Sequence, residues 1–166
     1  ALDVFTDIVA NPSFPDASFN RIFDGAQVGQ QQKKQSPSAQ AGILFYQQLY
    51  GNHPYAHPSS GTADSLKQIK TDDLKAFHQQ YFVAQNATIA MIGDISDERA
   101  KAIAEKISSQ LPQGQAAPKQ VAVPPLIKAV HKHIAFPSQQ THIMMGQASM
   151  RRDDKDYDAM YVGNEI

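Results

Sequence analysis

Through the first 110 residues, apolar side chains recur at the three- and four-residue spacing of amphipathic helices. Leu2, Phe5, Ile8 and Val9 share one face of a helix predicted to end at Asn11-Pro12. Asp16 is placed to cap a second helix with Phe19, Ile22, Phe23 and Ala26 as its buried stripe. The stripe then fades into the polar run GQQQKKQ, which reads as a solvated helix end. Ser36-Pro37 reads as cap and first residue of a third helix, burying Ala41, Leu44, Phe45 and Leu49 and closing near Gly51. Thr62 caps a short helical turn carrying Leu66 and Ile69. Thr71 caps a helix with Leu74, Phe77 and Tyr81 on its apolar side and Asp72 and Asp73 in its positive first turn. Ser96 caps another, with Ala100, Ile103, Ala104 and Ile107 inward.

Three stretches break this rhythm. NATIAMIGD (86–94) alternates and stops at Gly-Asp, the pattern of a strand and turn. LIKAVHKHIAF (126–136) and THIMMGQAS (141–149) read as two strands joined at Pro137-Ser138. Between the helical part and this pair, Gln110–Pro125 holds four prolines and no aromatic residue, and is expected to be an interdomain linker. A last helix starts near Asp153. The expected order is α-α-α-α-β-α, linker, β-β-α. This is an α+β fold, an antiparallel sheet with packed helices. Residues 1–110 form the later part of one domain, 111–125 the linker and 126–166 the beginning of a second. The chain opens and closes within helical pattern, which is the expectation for a piece of a longer protein.

Composition narrows the function classes. Hydrophobic residues make up 42% of the 166, a globular proportion, and the formal net charge of -1 offers no electrostatic reason for a nucleic-acid partner. No apolar run approaches the length of a membrane-spanning helix. The absence of cysteine excludes disulfides and thiolate metal sites. Abundant Gln without Cys suits an exported bacterial protein, and the bacterial periplasm is the expected compartment.

Residue chemistry alone supplies no active site. His53 and His57 are four apart, the spacing of a helical zinc pair. Each directly precedes a proline, however, which pushes both out of helical geometry and into a structured surface turn. His131 and His133 would share one strand face with His142 nearby, but no Asp or Glu accompanies them, so a half-exposed sheet face is the reading. His78 sits beside its helix's apolar stripe. Glutamate occurs only at 98, 105 and 165; Glu98 and Glu105 are read as solvent-facing partners of Arg99 and Lys101. No phosphate-binding glycine loop and no H-x-x-E-H are present, so no catalytic, cofactor or metal residue is assigned.

The order of elements is more specific than any one of them. YGNHPYAHPSSGTADSL (50–66), then TDDLKAFHQQYFVAQNATIAMIGDI (71–95), resembles the pitrilysin/insulinase family of zinc metallopeptidases, including the mitochondrial processing-peptidase subunits. The resemblance extends to NPSF (11–14), the Pro-rich segment, QQTHIMMG (139–146) and the final RRDDKDYDAMYVGNEI. It implies that His-Pro-Tyr and Gly-Thr lie between helices and bind no zinc. It implies further that the family's H-x-x-E-H lies upstream of Ala1, so that this chain alone hydrolyses nothing. The family's third zinc ligand is a Glu on the helix before the Asp/Ser-Pro start, with a second Glu two turns earlier. Here those slots fall at Gly29–Gln31 and Ile22–Asp24, which read GQQ and IFD. A neutral amide is a poor zinc ligand. The resemblance therefore implies a non-catalytic subunit that encloses peptide substrates beside an active homologous peptidase. The alternatives are a zinc endopeptidase whose site lies mostly upstream, and a structural core-type subunit of a larger complex. Self-association is also expected, because truncated domains leave apolar faces uncovered.

Overall fold

Seven α-helices account for the regular structure of the computed structural model, which describes residues 1–165: α1 (Leu2–Ala10), α2 (Asp16–Lys34), α3 (Pro37–Tyr50), α4 (Ala63–Leu66), α5 (Thr71–Tyr81), α6 (Asp97–Ser108) and α7 (Tyr157–Gly163). Short 3₁₀ turns cover Pro54–Ala56 and Ala84–Asn86. Their ends follow the cap chemistry. Ser36 Oγ accepts from the Ala39 N–H at 3.3 Å and Pro37 opens α3, which Gly51 closes at φ 56, a value glycine adopts without steric cost. Thr62 and Ser65 form a reciprocal capping box at the start of α4. Ser96 Oγ accepts from the Arg99 N–H on α6. At α5 the expectation shifts by one residue. Lys70 is the cap position, its N–H donating to Asp73 at 2.7 Å, while Thr71 Oγ1 donates to Asp16 on the first turn of α2.

The α+β expectation is overturned. Among the described residues there is no strand and no sheet. A strand is a relation between two segments, whose N–H and C=O groups must meet at the ladder spacing of about 4.8 Å. Alternation in 86–94, 126–136 and 141–149 expresses a preference for that geometry but supplies no partner. These segments run as irregular backbone with apolar side chains in solvent: Ile127 and Met145 are each 95% exposed.

The chain divides into two units. The first comprises residues 1–29 and 62–120, the second residues 30–61 and those from 121 onward. Within the first, His78 Nε2 donates to the Val9 carbonyl at the end of α1 (2.8 Å), with its ring stacked on Phe82. Asp3 of α1 pairs with Lys106 of α6. Part of the Pro-rich segment is tied down here. The Ala84 N–H donates to Pro112 O at 2.8 Å and the Ala117 N–H to Asn86 Oδ1 at 2.7 Å. Gly114, at φ 60, lies so close to buried Val83 that a β-carbon there would sit 2.4 Å from the valine Cβ.

Apolar faces are less covered than the helical periods imply. In α1 the buried residue is Thr6, whose hydroxyl donates to Leu2 O, whereas Phe5 and Ile8 face solvent. In α2, Phe19 stacks on Phe23 but Ile22 is exposed. In α5, Phe77 is exposed. The α6 face matches its period, with Ala100, Ile103, Ala104 and Ile107 all half-buried. The buried apolar residues among those described are Leu49, Ala56 and Val83.

Candidate functional site

The second unit places the end of α2, the helix α3 and the loop 51–61 together, and this is where the motif residues acquire definite roles. The two prolines act as the pre-proline rule requires. His53 (φ -70, ψ 148) and His57 (φ -92, ψ 137) are both extended and flank the 3₁₀ turn as its two caps. They do not form a helical pair. His53 is not a surface residue, however: it is 5% exposed. Its Nδ1 accepts the Tyr55 N–H at 3.2 Å, which puts the ring proton on Nε2, and Nε2 donates to Val121 O at 3.0 Å. The imidazole thus ties the turn to the later part of the Pro-rich segment. Tyr50 and Tyr55 pack around it.

Gln30, at the centre of the slot where the resemblance places a zinc-binding glutamate, is buried. Its Nε2 donates to Ser60 O at 3.0 Å and to Gly61 O at 3.2 Å. One turn on, Lys33 Nζ bonds the Ser60 hydroxyl, and the Gln40 amide of α3 donates to Lys33 O at 2.9 Å. The chemistry required at position 30 is therefore donation to two carbonyl oxygens. An ionised carboxylate only accepts. Gly29 has no side chain, Gln31 is exposed, and Asp24 in the earlier slot is exposed. The residues of this segment do not fit a zinc ligand set, and no group of three His, Cys, Asp or Glu able to hold a metal occurs among the described residues. His131, His133 and His142 are all exposed.

The acidic residues follow local partners. Glu98 does not pair with Lys101 or Arg99. Its carboxyl lies below the usual carboxylate value because its own backbone N–H, and secondarily the Ser96 hydroxyl, donate to it. Asp3 is likewise lowered, first by a hydrogen bond from Lys106 and then by that residue's charge.

Gln30 and Lys33 carried a legible signal. They continue the stripe of Phe19, Phe23 and Ala26 at intervals of three and four, so the face does not end where its apolar residues do. The buried role of His53 had no comparable signature, because its acceptor, Val121, lies 68 residues away.

Comparison with known proteins agrees with the sequence resemblance. Residues 68–166 match the family model described as Peptidase M16 inactive domain. Curated relatives include an uncharacterized zinc protease of Mycobacterium leprae, 24% identical over 156 residues, covering 88% of this chain and 34% of that protein. They also include the non-peptidase homolog YmxG of Helicobacter pylori, 24% identical over 116 residues, 70% of this chain and 27% of that one. The chain spans about a quarter to a third of the length of these relatives. A crystal structure of a peptidase M16 inactive domain from Pseudomonas fluorescens superposes with a TM-score of 0.95 at 42% identity, over 99% of this chain and 40% of that one. The match covers more than half of the residues, and the chain belongs to the Peptidase M16 inactive domain family.

Proposed function

We propose that this chain is part of a non-catalytic metallopeptidase-family protein that helps to enclose peptide substrates beside an active, homologous peptidase. The observation that carries the reading is Gln30. Within Gly29–Gln31, the slot where the resemblance places a metal-binding carboxylate, this chain has an amide whose two donor bonds hold the 60–61 backbone. That a Helicobacter pylori relative is named a non-peptidase homolog supports it. The test is metal content. The intact parent protein, purified alone, is expected to contain no stoichiometric zinc by atomic absorption; near-equimolar zinc released by a mild chelator overturns the proposal. A second reading, a zinc-dependent endopeptidase, is favoured by the naming of other relatives as zinc proteases, and the same measurement separates the two.

Three further parts of the proposal follow. Residues 1–110 and 126–166 belong to successive domains joined by 111–125. The parent works in the bacterial periplasm, which fractionation of a producing cell tests. The chain by itself associates with its own copies through exposed apolar residues such as Ile127 and Met145, and light scattering showing a clean monomer removes that part.

A further inference from the structure

Beside the Gln30 contact the second unit holds a pocket of about 390 Å³, lined by α2, α3 and the His-Pro-Tyr loop. The volume is within the range of small-ligand clefts. Its lining has an unbalanced charge. Lys33 supplies an ammonium and His57 a ring nitrogen, while no Asp or Glu is present among the described lining residues. Its walls are aromatic and aliphatic, from Tyr46, Tyr55 and Ile43. The tyrosines are exposed but held in place. Tyr46 stacks parallel on Tyr50 at 6.0 Å, and Tyr55 meets Tyr50 edge-on at 5.6 Å and His53 at 4.7 Å. Binding therefore freezes little additional side-chain motion.

The complementary occupant has one negative charge next to an apolar group, and more chain extending out of an open mouth. We infer that this pocket receives the free carboxyl terminus of a peptide whose last residue is apolar, the carboxylate lying on Lys33 and Ser60 and the side chain between Tyr46 and Tyr55. The inference deepens the peptide-holding role proposed above and rests on it. Lys33 already bonds the hydroxyl of Ser60, also a lining residue, which leaves two N–H groups of the ammonium for a carboxylate.

The test is fluorescence anisotropy of the whole 166-residue chain with a labelled peptide ending in Ala-Leu, once as the free acid and once as the C-terminal amide. The acid is expected to bind saturably, and the amide about tenfold or more weaker, the scale of a hydrogen bond to a charged group. Lys33→Gln should weaken the acid by a similar factor and the amide by less, so that the preference is lost, with the circular dichroism spectrum of the parent; Lys33→Arg should retain the preference. Equal binding of acid and amide overturns the inference, as does the absence of saturable binding by either, and the wild-type comparison decides this without any variant. Acid preference in a parent that proves to contain stoichiometric zinc would leave the pocket standing and remove the non-catalytic reading. No acid preference in a zinc-free parent would do the reverse.

Discussion

Replacing Gln30 by Glu changes a single heavy atom, Nε2 to oxygen, and should cost more than its small size implies. The amide donates to Ser60 O and Gly61 O from a side chain only 9% exposed. The carboxylate loses both donors and turns its own oxygens toward two carbonyl oxygens. Each net hydrogen bond lost costs about 1 kcal/mol, and the unpaired buried charge adds to this. The one compensation available is an ion pair with Lys33 three residues on, worth about 0.2–0.5 kcal/mol at helical spacing. The loss wins, and the net expectation is about 2–3 kcal/mol. Gln30→Met removes the donors without adding charge and should cost about 1–2 kcal/mol. In urea titrations followed by far-UV circular dichroism, the Glu variant's midpoint should fall by about 1 M and the Met variant's by less. A Glu variant as stable as the parent, or one stabilised by added zinc, would refute both the amide-clamp argument and the case built on this position.

Other substitutions probe independent contacts. His53→Ala removes the donor to Val121 O and the cap on the Tyr55 N–H, and should cost about 2–3 kcal/mol, with faster amide exchange at Tyr55 as the local readout. Gly114→Ala faces both a positive φ and a contact of 2.4 Å with Val83, and should destabilise by about 1–3 kcal/mol, visible as a lower urea midpoint; a neutral result would mean that the 112–117 segment is not held against the Ala84–Asn86 turn. The Asp3 carboxyl titrates below its ordinary value in the folded chain. Its contribution to stability is therefore present above the unfolded carboxylate range and is lost as pH falls through the lowered value. In Lys106→Ala the NMR-monitored Asp3 titration should return to the ordinary range, and an unmoved curve would exclude Lys106 as the cause.

Helices were legible wherever a spaced apolar stripe met a visible cap, as at Ser36-Pro37, Thr62 and Ser96, since both signals are local. The three alternating segments were not legible in the same way, because pairing depends on what lies opposite, which alternation does not encode. Burial was misjudged where a polar residue took an inward place. Thr6 satisfies its hydroxyl within α1, and Gln30 satisfies its amide on loop carbonyls, so neither carries the cost that normally keeps such residues outside. The candidate site was half legible. The prolines gave the geometry of His53 and His57, but the run holding Gln30 and Lys33 reads as a solvated helix end, whereas Gln30 is buried. The partners that hold Gln30, Lys33 and the His53 Nε2 lie in distant stretches of chain.

The small set of buried apolar residues among those described, Leu49, Ala56 and Val83, also governs the response to temperature. Denaturation exposes little hydrocarbon that water does not already meet, so the heat-capacity increment should be small for 166 residues. The stability curve is then shallow. Calorimetry should give a low, wide endotherm, and cooling should do little to weaken the fold.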